Sequence, residues 1–469
     1  MPIGVDEWVA QHTDRADAGT GWRRWLFFLQ ARVGWWQRLA LVILVGVVFG
    51  LLGLNSNIQT VAVTGLIYAI LAVGLNVAVG WAGLLDLGYI AFFGFGAYGY
   101  AILSATVPGS GVSNVSAVLS FPIVLVAAAV FGALIGLATL RVSGDYLAIV
   151  TLFVGQAFME AVNNVAPGTL GGVNGLFNLA PVHMFGAQIT SIDGYYYLAL
   201  GCLAVLLAGL HLLNRSRTGL AWRAVREDEL AAQAMTIPVG WVKVMAISFA
   251  ATVGALAGWI FAGQQASVFP TNFTENILIL IYACLVLGGS GSLAGAVLGG
   301  IVVIAGEQLV SSPLDAGWLF YGVIVIALLF KVRPWWRLGA VAAGTVGLGL
   351  LARLVVGAIS SSAVAGHAGS GGLIGKLVGG WVIVPADAST YGNVLFVLMF
   401  CLVFLLIRVP ARVRAWLLAP SIYLAACCWE SRLVVDPAVT AQILLGGILI
   451  AMMAARPQGF LGTMTVEVV

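Results

Sequence analysis

From Leu39 onward the chain is a succession of apolar runs joined by short segments rich in Gly, Pro, Ser or charge. The runs are close to the roughly 20 residues that cross a bilayer as a helix. Apolar residues follow one another within them instead of alternating with polar ones, which excludes the strands of an outer-membrane barrel. The pattern predicts an all-α fold, a polytopic transmembrane helical bundle, with spans near 38–54, 58–80, 87–105, 117–140, 146–165, 195–213, 240–263, 274–289, 293–311, 317–332, 338–358, 391–409, 415–434 and 438–455. Re-entrant segments at 81–95 and 274–295 would change the number of crossings by an even count. The first 37 residues are polar and aromatic, with Arg15, Arg23, Arg24 and Arg32, and lack the apolar core and cleavage site of a secretory signal. They read as a cytoplasmic tail with an interfacial helix near Trp22 to Trp36.

One polar island interrupts the apolar sequence: Asn214 to Lys243, NRSRTGLAWRAVREDELAAQAMTIPVGWVK. Thr218 is the expected N-cap of a helix from about Gly219, and Pro238 stops it near Thr236 or Ile237. Leu220, Ala224, Ala231 and Met235 recur at helical spacing as a small apolar stripe, with Arg223, Arg226, Glu227 and Asp228 on the other faces. Arg223 and Glu227, four apart, are expected to pair. A stripe rich in alanine permits close approach to a groove, so the segment reads as a docking helix; a solvated loop is the plainer alternative.

Charge fixes the side. The chain is only 8% charged, with net charge +3, and a membrane accounts for its basic residues better than nucleic acid does. With the N-terminus in the cytoplasm and each span crossing once, eighteen of the 21 Lys and Arg fall on the cytoplasmic side, all but Arg353, Lys376 and Arg432. That is the bias of the positive-inside rule, and it puts the island in the cytoplasm. The five cysteines lie in apolar runs without a CxxC pair, and the four histidines are scattered, so no metal site is expected. Gly132/Gly136, Gly254/Gly258 and Gly295/Gly299 have the spacing of close helix crossings.

Several blocks resemble the inner-membrane permease subunits of branched-chain amino-acid ABC importers, in particular the LivM type. They are GLNVAVGWAGLLDLGYIAFFGFGAYGY at Gly74–Tyr100, GDYLAIVTLFVGQ at Gly144–Gln156, GGVNGL at Gly171–Leu176, WRAVREDELAAQAMTI at Trp222–Ile237 and LVLGGSGSLAGAVL at Leu285–Leu298, with ARPQGFLG at Ala455–Gly462 as a C-terminal signature. The resemblance implies a bacterial cytoplasmic (inner) membrane protein without catalysis of its own. Its partners would be two ABC ATPase subunits, a LivH-like second permease and a periplasmic or extracellular solute-binding protein. No cofactor is implied in this chain, ATP being bound by the partner subunits. The island becomes the coupling helix, with Arg223, Arg226, Glu227, Asp228, Glu229, Ala231 and Ala232 facing the ATPase. Glu229, Ala231 and Ala232 match the family's E-x-A-A core, but Thr236 stands where glycine is common. The family's last span resembles both Trp318–Arg333 and Ile443–Arg456. The expected domains are therefore the tail (1–37), the main transmembrane domain (38–333), an extra transmembrane insertion (334–437), and the last span with its tail (438–469).

Polar residues at or near spans are candidates for a substrate path, because charges in a bilayer usually face the protein interior. Asp86 and Glu160 are candidates to line a polar cavity, Asp86 also reading as a helix cap. Asn163, Asn164 and Asn174 flank the loop 166–194 and are candidates to receive a substrate's amino or carboxylate group. The GxGxxG at Gly94–Gly99 lies in an apolar span without a βαβ unit and is discarded. Gly375-Lys376 lacks the first glycine and the Ser/Thr of a P-loop. The rival readings are a permease for urea, short amides or other amino acids, an ATP-independent carrier, and a structural or regulatory subunit.

Overall fold

The computed structural model describes residues 35–461 except 53–54, 105–115, 141, 143, 166, 185–186, 332–334, 360–365, 367–369, 371, 386–387, 409–410, 434–436 and 456–458. The expected interfacial helix near Trp22 to Trp36 lies almost wholly outside them. Every apolar run folds as a helix. In chain order these are α1 (Trp35–Leu51), α2 (Ser56–Leu75, continued by a π-helical turn Asn76–Trp81), α3 (Tyr89–Ser104), α4 (Ala117–Ala138), α5 (Asp145–Asn164), α6 (Ile192–Asn214), α7 (Arg217–Glu227), α8 (Glu229–Ala234), α9 (Val239–Gln265), α10 (Glu275–Gly288), α11 (Leu293–Ser311), α12 (Pro313–Lys331), α13 (Trp335–Ile359), α14 (Gly372–Val378), α15 (Ala388–Arg408), α16 (Ala411–Cys428, continued by a π-helical turn Trp429–Leu433) and α17 (Pro437–Ala455). Among the described residues eight helices are long and apolar enough to cross a membrane, and five further apolar helices are shorter.

The chain divides into two compact units, 1–285 with 290–300, and 286–289 with 301–469. In the first, α9 runs along α2, α3 and α4. Glycine makes these crossings possible. A Cβ on Gly258 would meet the Phe93 carbonyl of α3 and come within 2.7 Å of the Ala97 nitrogen, and one on Gly132 would lie 2.5 Å from the Ala251 Cβ. The spaced glycines at 132/136 and 254/258 thus serve helix packing. Aromatic rings fill the space beside them: Trp259 meets Tyr100 and Phe121 edge-on at 5.4 and 5.2 Å, and its Nε1 donates to Ser120 Oγ at 3.1 Å.

At one end of this unit short strands close the bundle. β1 (Leu176–Phe177) pairs antiparallel with β4 (Ser267–Val268), and β2 (Val182–Met184) with β3 (Ala187–Ile189). The GGVNGL block owes its glycines to this turn. Gly171, Gly172 and Gly175 all have left-handed backbone, with φ of +78°, +54° and +70°, a conformation that side chains disfavour.

In the second unit a buried carboxylate organises the extra helices. Glu430, on the π-helical turn after α16, accepts hydrogen bonds from the Tyr321 hydroxyl of α12 at 2.9 Å and from the Ser370 nitrogen and hydroxyl at 2.9 and 2.6 Å. Beside it the Trp429 ring stacks on Phe320 at 4.2 Å, and Ala316 of α12 and Leu444 of α17 complete the cluster. The C-terminal signature has a local purpose: Phe460 and Leu461 donate backbone hydrogen bonds to the last carbonyls of α10, Leu287 and Gly288, at 2.9 and 3.0 Å. Those carbonyls have no partner within the helix.

Candidate functional site

The polar island folds as two helices, not one. Ser216 caps α7 by accepting from the Gly219 nitrogen, so the cap lies two residues before the expected Thr218. The helix then breaks at Asp228, whose backbone is extended (φ −154°, ψ 113°). Its Oδ1 accepts from the Leu230 and Ala231 nitrogens at 2.8 and 3.0 Å. An aspartate that satisfies the free N–H groups of a helix start favours a cap over a helix interior. The break also resets the helical phase, so the predicted single stripe is divided between α7 and α8.

Each helix keeps one face inside and offers another outward. Gly219, Trp222 and Val225 of α7 and Ala232 of α8 are buried, with Trp222 only 1% and Ala232 only 4% exposed. Ala232 therefore belongs to the internal face, against the expectation that it meets a partner. Leu220, Leu230 and Met235 are exposed, the last two at 77% and 75%, as is Ala231. The expected Arg223–Glu227 pair is not formed; the Arg223 guanidinium instead donates to the Asn214 carbonyl at the end of α6 at 2.9 Å. Glu229 holds the one ion pair among the described residues, with Lys243 of α9 at 2.6 Å. Glu227 and Asp228 remain exposed at the break.

Trp222 of the buried face and the exposed Arg226 tie the broken helix to the bundle. Trp222 Nε1 donates to the Val242 carbonyl at 2.9 Å, and its ring lies 6.3 Å from that of Trp81. The Arg226 guanidinium donates to the Gly80 carbonyl in the π-helical turn of α2, and its aliphatic stem covers Gly83. That turn in turn grips Gly291: Trp81 Nε1 donates to the Gly291 carbonyl at 3.1 Å, and Asn76 Oδ1 accepts from the Gly291 nitrogen at 2.7 Å. A π-helical turn inside an α-helix frequently marks a functional position.

After α8 the chain makes a Schellman turn. The Thr236 nitrogen donates to the Gln233 carbonyl and the Ile237 nitrogen to the Ala232 carbonyl, at 3.0 and 3.1 Å. Thr236 sits at the left-handed position with φ +64°, where a β-branched residue is strained. The site where the resemblance leads one to expect glycine is thus the position that favours it. Thr236→Gly is expected to stabilise the protein by about 1 kcal/mol, read as a higher midpoint in thermal unfolding of the purified protein.

The model of the family described as branched-chain amino acid transport system / permease component matches residues 57–332. The chain belongs to this family. It is similar to the high-affinity branched-chain amino acid transport system permease protein LivM of Escherichia coli K12, 32% identical over 292 residues that make up 57% of this chain and 67% of that protein. LivM of Salmonella typhimurium LT2 is 30% identical over the same shares. The high-affinity branched-chain amino acid transport system permease protein LivH of Escherichia coli K12 is 23% identical over 278 residues, 57% of this chain and 89% of LivH. No solved structure matches the chain. It is a LivM-type permease, and the broken helix lies within the family-matched region.

The other candidates do not converge. Asp86 lies in the loop 82–88, outside the spans, where burial pushes its carboxyl up to about 6. Its Oδ1 accepts from the Gly88 nitrogen at 2.9 Å, the capping role, and its carbonyl accepts from the Tyr282 hydroxyl. Glu160 and Asn164 are joined to each other on α5 at 2.6 Å. Nine residues, about 13 Å of helix, separate Glu160 from Thr151, which holds the loop at Leu87. Asn163 is half-buried and Asn174 exposed. Sequence reasoning missed Gln156 and Glu275, which hydrogen-bond between α5 and the start of α10. The signal for Gln156 was present: Gln156, Glu160 and Asn164 recur every fourth residue on an apolar helix.

Proposed function

We propose that this permease is a membrane-spanning subunit of an ATP-driven importer for branched-chain or related hydrophobic amino acids. It sits in a bacterial cytoplasmic membrane with its N-terminus and the α7–α8 end in the cytoplasm. Two ABC ATPase subunits drive it, a LivH-like permease completes the pathway, and an external solute-binding protein delivers the substrate. The family membership carries this reading. The exposed apolar residues Leu220 on α7, and Leu230, Ala231 and Met235 on and just after the capped α8, support it. α7 and α8 are the coupling element; Arg223, Arg226, Asp228 and Glu229 set their pose, and Glu227 stands exposed at the break, open to the ATPase.

The transmission follows from the contacts of these helices with the bundle. When the ATPases close, they push on the outward faces of α7 and α8. Arg226 and Trp222 pass the displacement to Gly80 and Trp81 in the π-helical turn of α2, and Trp81 and Asn76 carry it to the turn at Gly291. ATP can move the bundle only if these contacts differ in free energy between the inward- and outward-open states. The chain contributes the moving wall, and the hydrolysis belongs to its partners. In a strain lacking this chain, energised leucine uptake through the system is expected to fall to background and to return with the wild-type gene. Uptake unaltered by its loss would sink the reading.

A further inference from the structure

A cavity of 290 Å³ opens between α3, α5 and the start of α10, with Leu87, Ile90, Leu152, Gln156, Glu275 and Leu278 among its lining residues. The size lies at the lower edge of the roughly 300–1,000 Å³ typical of small-molecule sites. Its lining is of two kinds. One is apolar: Ile90 and Leu278 are buried and, with Leu87 and Leu152, present aliphatic side chains. The other carries the Gln156–Glu275 hydrogen bond, and both of these residues are exposed on the flank of their helices. A carboxylate on the flank of a membrane-spanning bundle is costly against lipid, so this pair requires a polar occupant or water.

We infer that this cavity is this subunit's contact site for the transported molecule, a zwitterionic amino acid with an aliphatic side chain; the inference rests on the importer reading above. Glu275 receives the α-ammonium group and Gln156 offers its amide to the α-carboxylate, exchanging their mutual hydrogen bond for bonds to substrate. The side chain lies against Leu87, Ile90, Leu152 and Leu278. The position also links the site to the drive. Leu87 belongs to the loop whose Gly83 is covered by Arg226, and its nitrogen is held by Thr151 Oγ1 of α5 at 3.0 Å. A push on α7 therefore reaches one wall of the cavity through a single loop.

The test uses chromosomal variants of the full chain in its native cells, with radiolabelled leucine and alanine each at saturating concentration. Because a binding protein sets the apparent affinity, the maximal rate and the leucine-to-alanine ratio are the informative readings. Glu275→Gln is expected to lower both maximal rates about tenfold or more, with the second permease and the ATPases still co-purifying. Leu152→Phe, which adds bulk to the apolar lining, is expected to lower the leucine rate about tenfold relative to alanine. Wild-type rates and ratios in both variants would overturn the site while leaving the importer intact. Loss of co-purification in both would instead make the cavity part of a subunit interface and also overturn it. If deletion of the whole chain leaves uptake of both amino acids unchanged, the importer reading fails and takes the site with it.

Discussion

Ala231→Trp is expected to abolish energised uptake while leaving the protein folded in the membrane. Ala231 is exposed on α8 beside Leu230, and its nitrogen is already engaged by the Asp228 cap, so the substitution adds bulk outward without removing a bond. In an interface built for close approach, such overpacking costs about 1–3 kcal/mol, or roughly 5- to 150-fold weaker docking. Ala232 is the control. It is 4% exposed and faces the bundle, so Ala232→Trp disturbs the fold itself and is expected to reduce the amount of protein recovered. Leucine uptake and ATPase co-purification, measured for both, separate the two effects. Wild-type uptake by Ala231→Trp with the ATPases attached would remove α8 from the coupling interface.

Deleting 338–437 has the second large effect: the truncated chain is expected not to accumulate. The extra region looks dispensable from the family match, which ends at residue 332. Yet α12, inside the matched region, depends on it. Phe320 would lose its stacked partner Trp429, and the Tyr321 hydroxyl its acceptor Glu430. The aromatic pair contributes about 0.5–1.5 kcal/mol beyond its buried area, and an unsatisfied hydroxyl costs about 1–3 kcal/mol. The deletion also removes the packing of Val382, Val384, Tyr423 and Cys427. Against a typical stability of about 5–15 kcal/mol these losses are decisive. Immunoblotting of membranes checks it, and a truncated chain that accumulates and transports normally would contradict it.

The helices were legible because hydrophobic runs report burial in lipid directly. Each apolar run became a helix with ends close to the expected ones, such as 293–311 for α11. What escaped was set by side chains that meet across long sequence distances or compete locally with the backbone. Asp228 reads as one more polar residue on a helical face, but its carboxylate caps α8 and breaks the helix. Arg223 has a suitable partner four residues away, yet the carbonyl of Asn214 claims it. Gln156 and Glu275 are 119 residues apart, and no local spacing brings them together. Glu430 meets Tyr321 across 109 residues, and the sequence left the insertion without a role. Thr236 is the opposite case: the departure from glycine marked the one residue of the island in left-handed backbone.

The coupling role of α8 is tested by asking what its exposed face touches. A photo-crosslinking amino acid at position 230 in the assembled transporter, compared with one at position 205 on the flank of α6, reads this out. Leu230 and Val205 are similarly exposed, at 77% and 74%, but only the first lies on the proposed coupling element. Position 230 is expected to be trapped on a soluble ATPase subunit and position 205 is not. An actively transporting complex in which position 230 yields no ATPase adduct would contradict it.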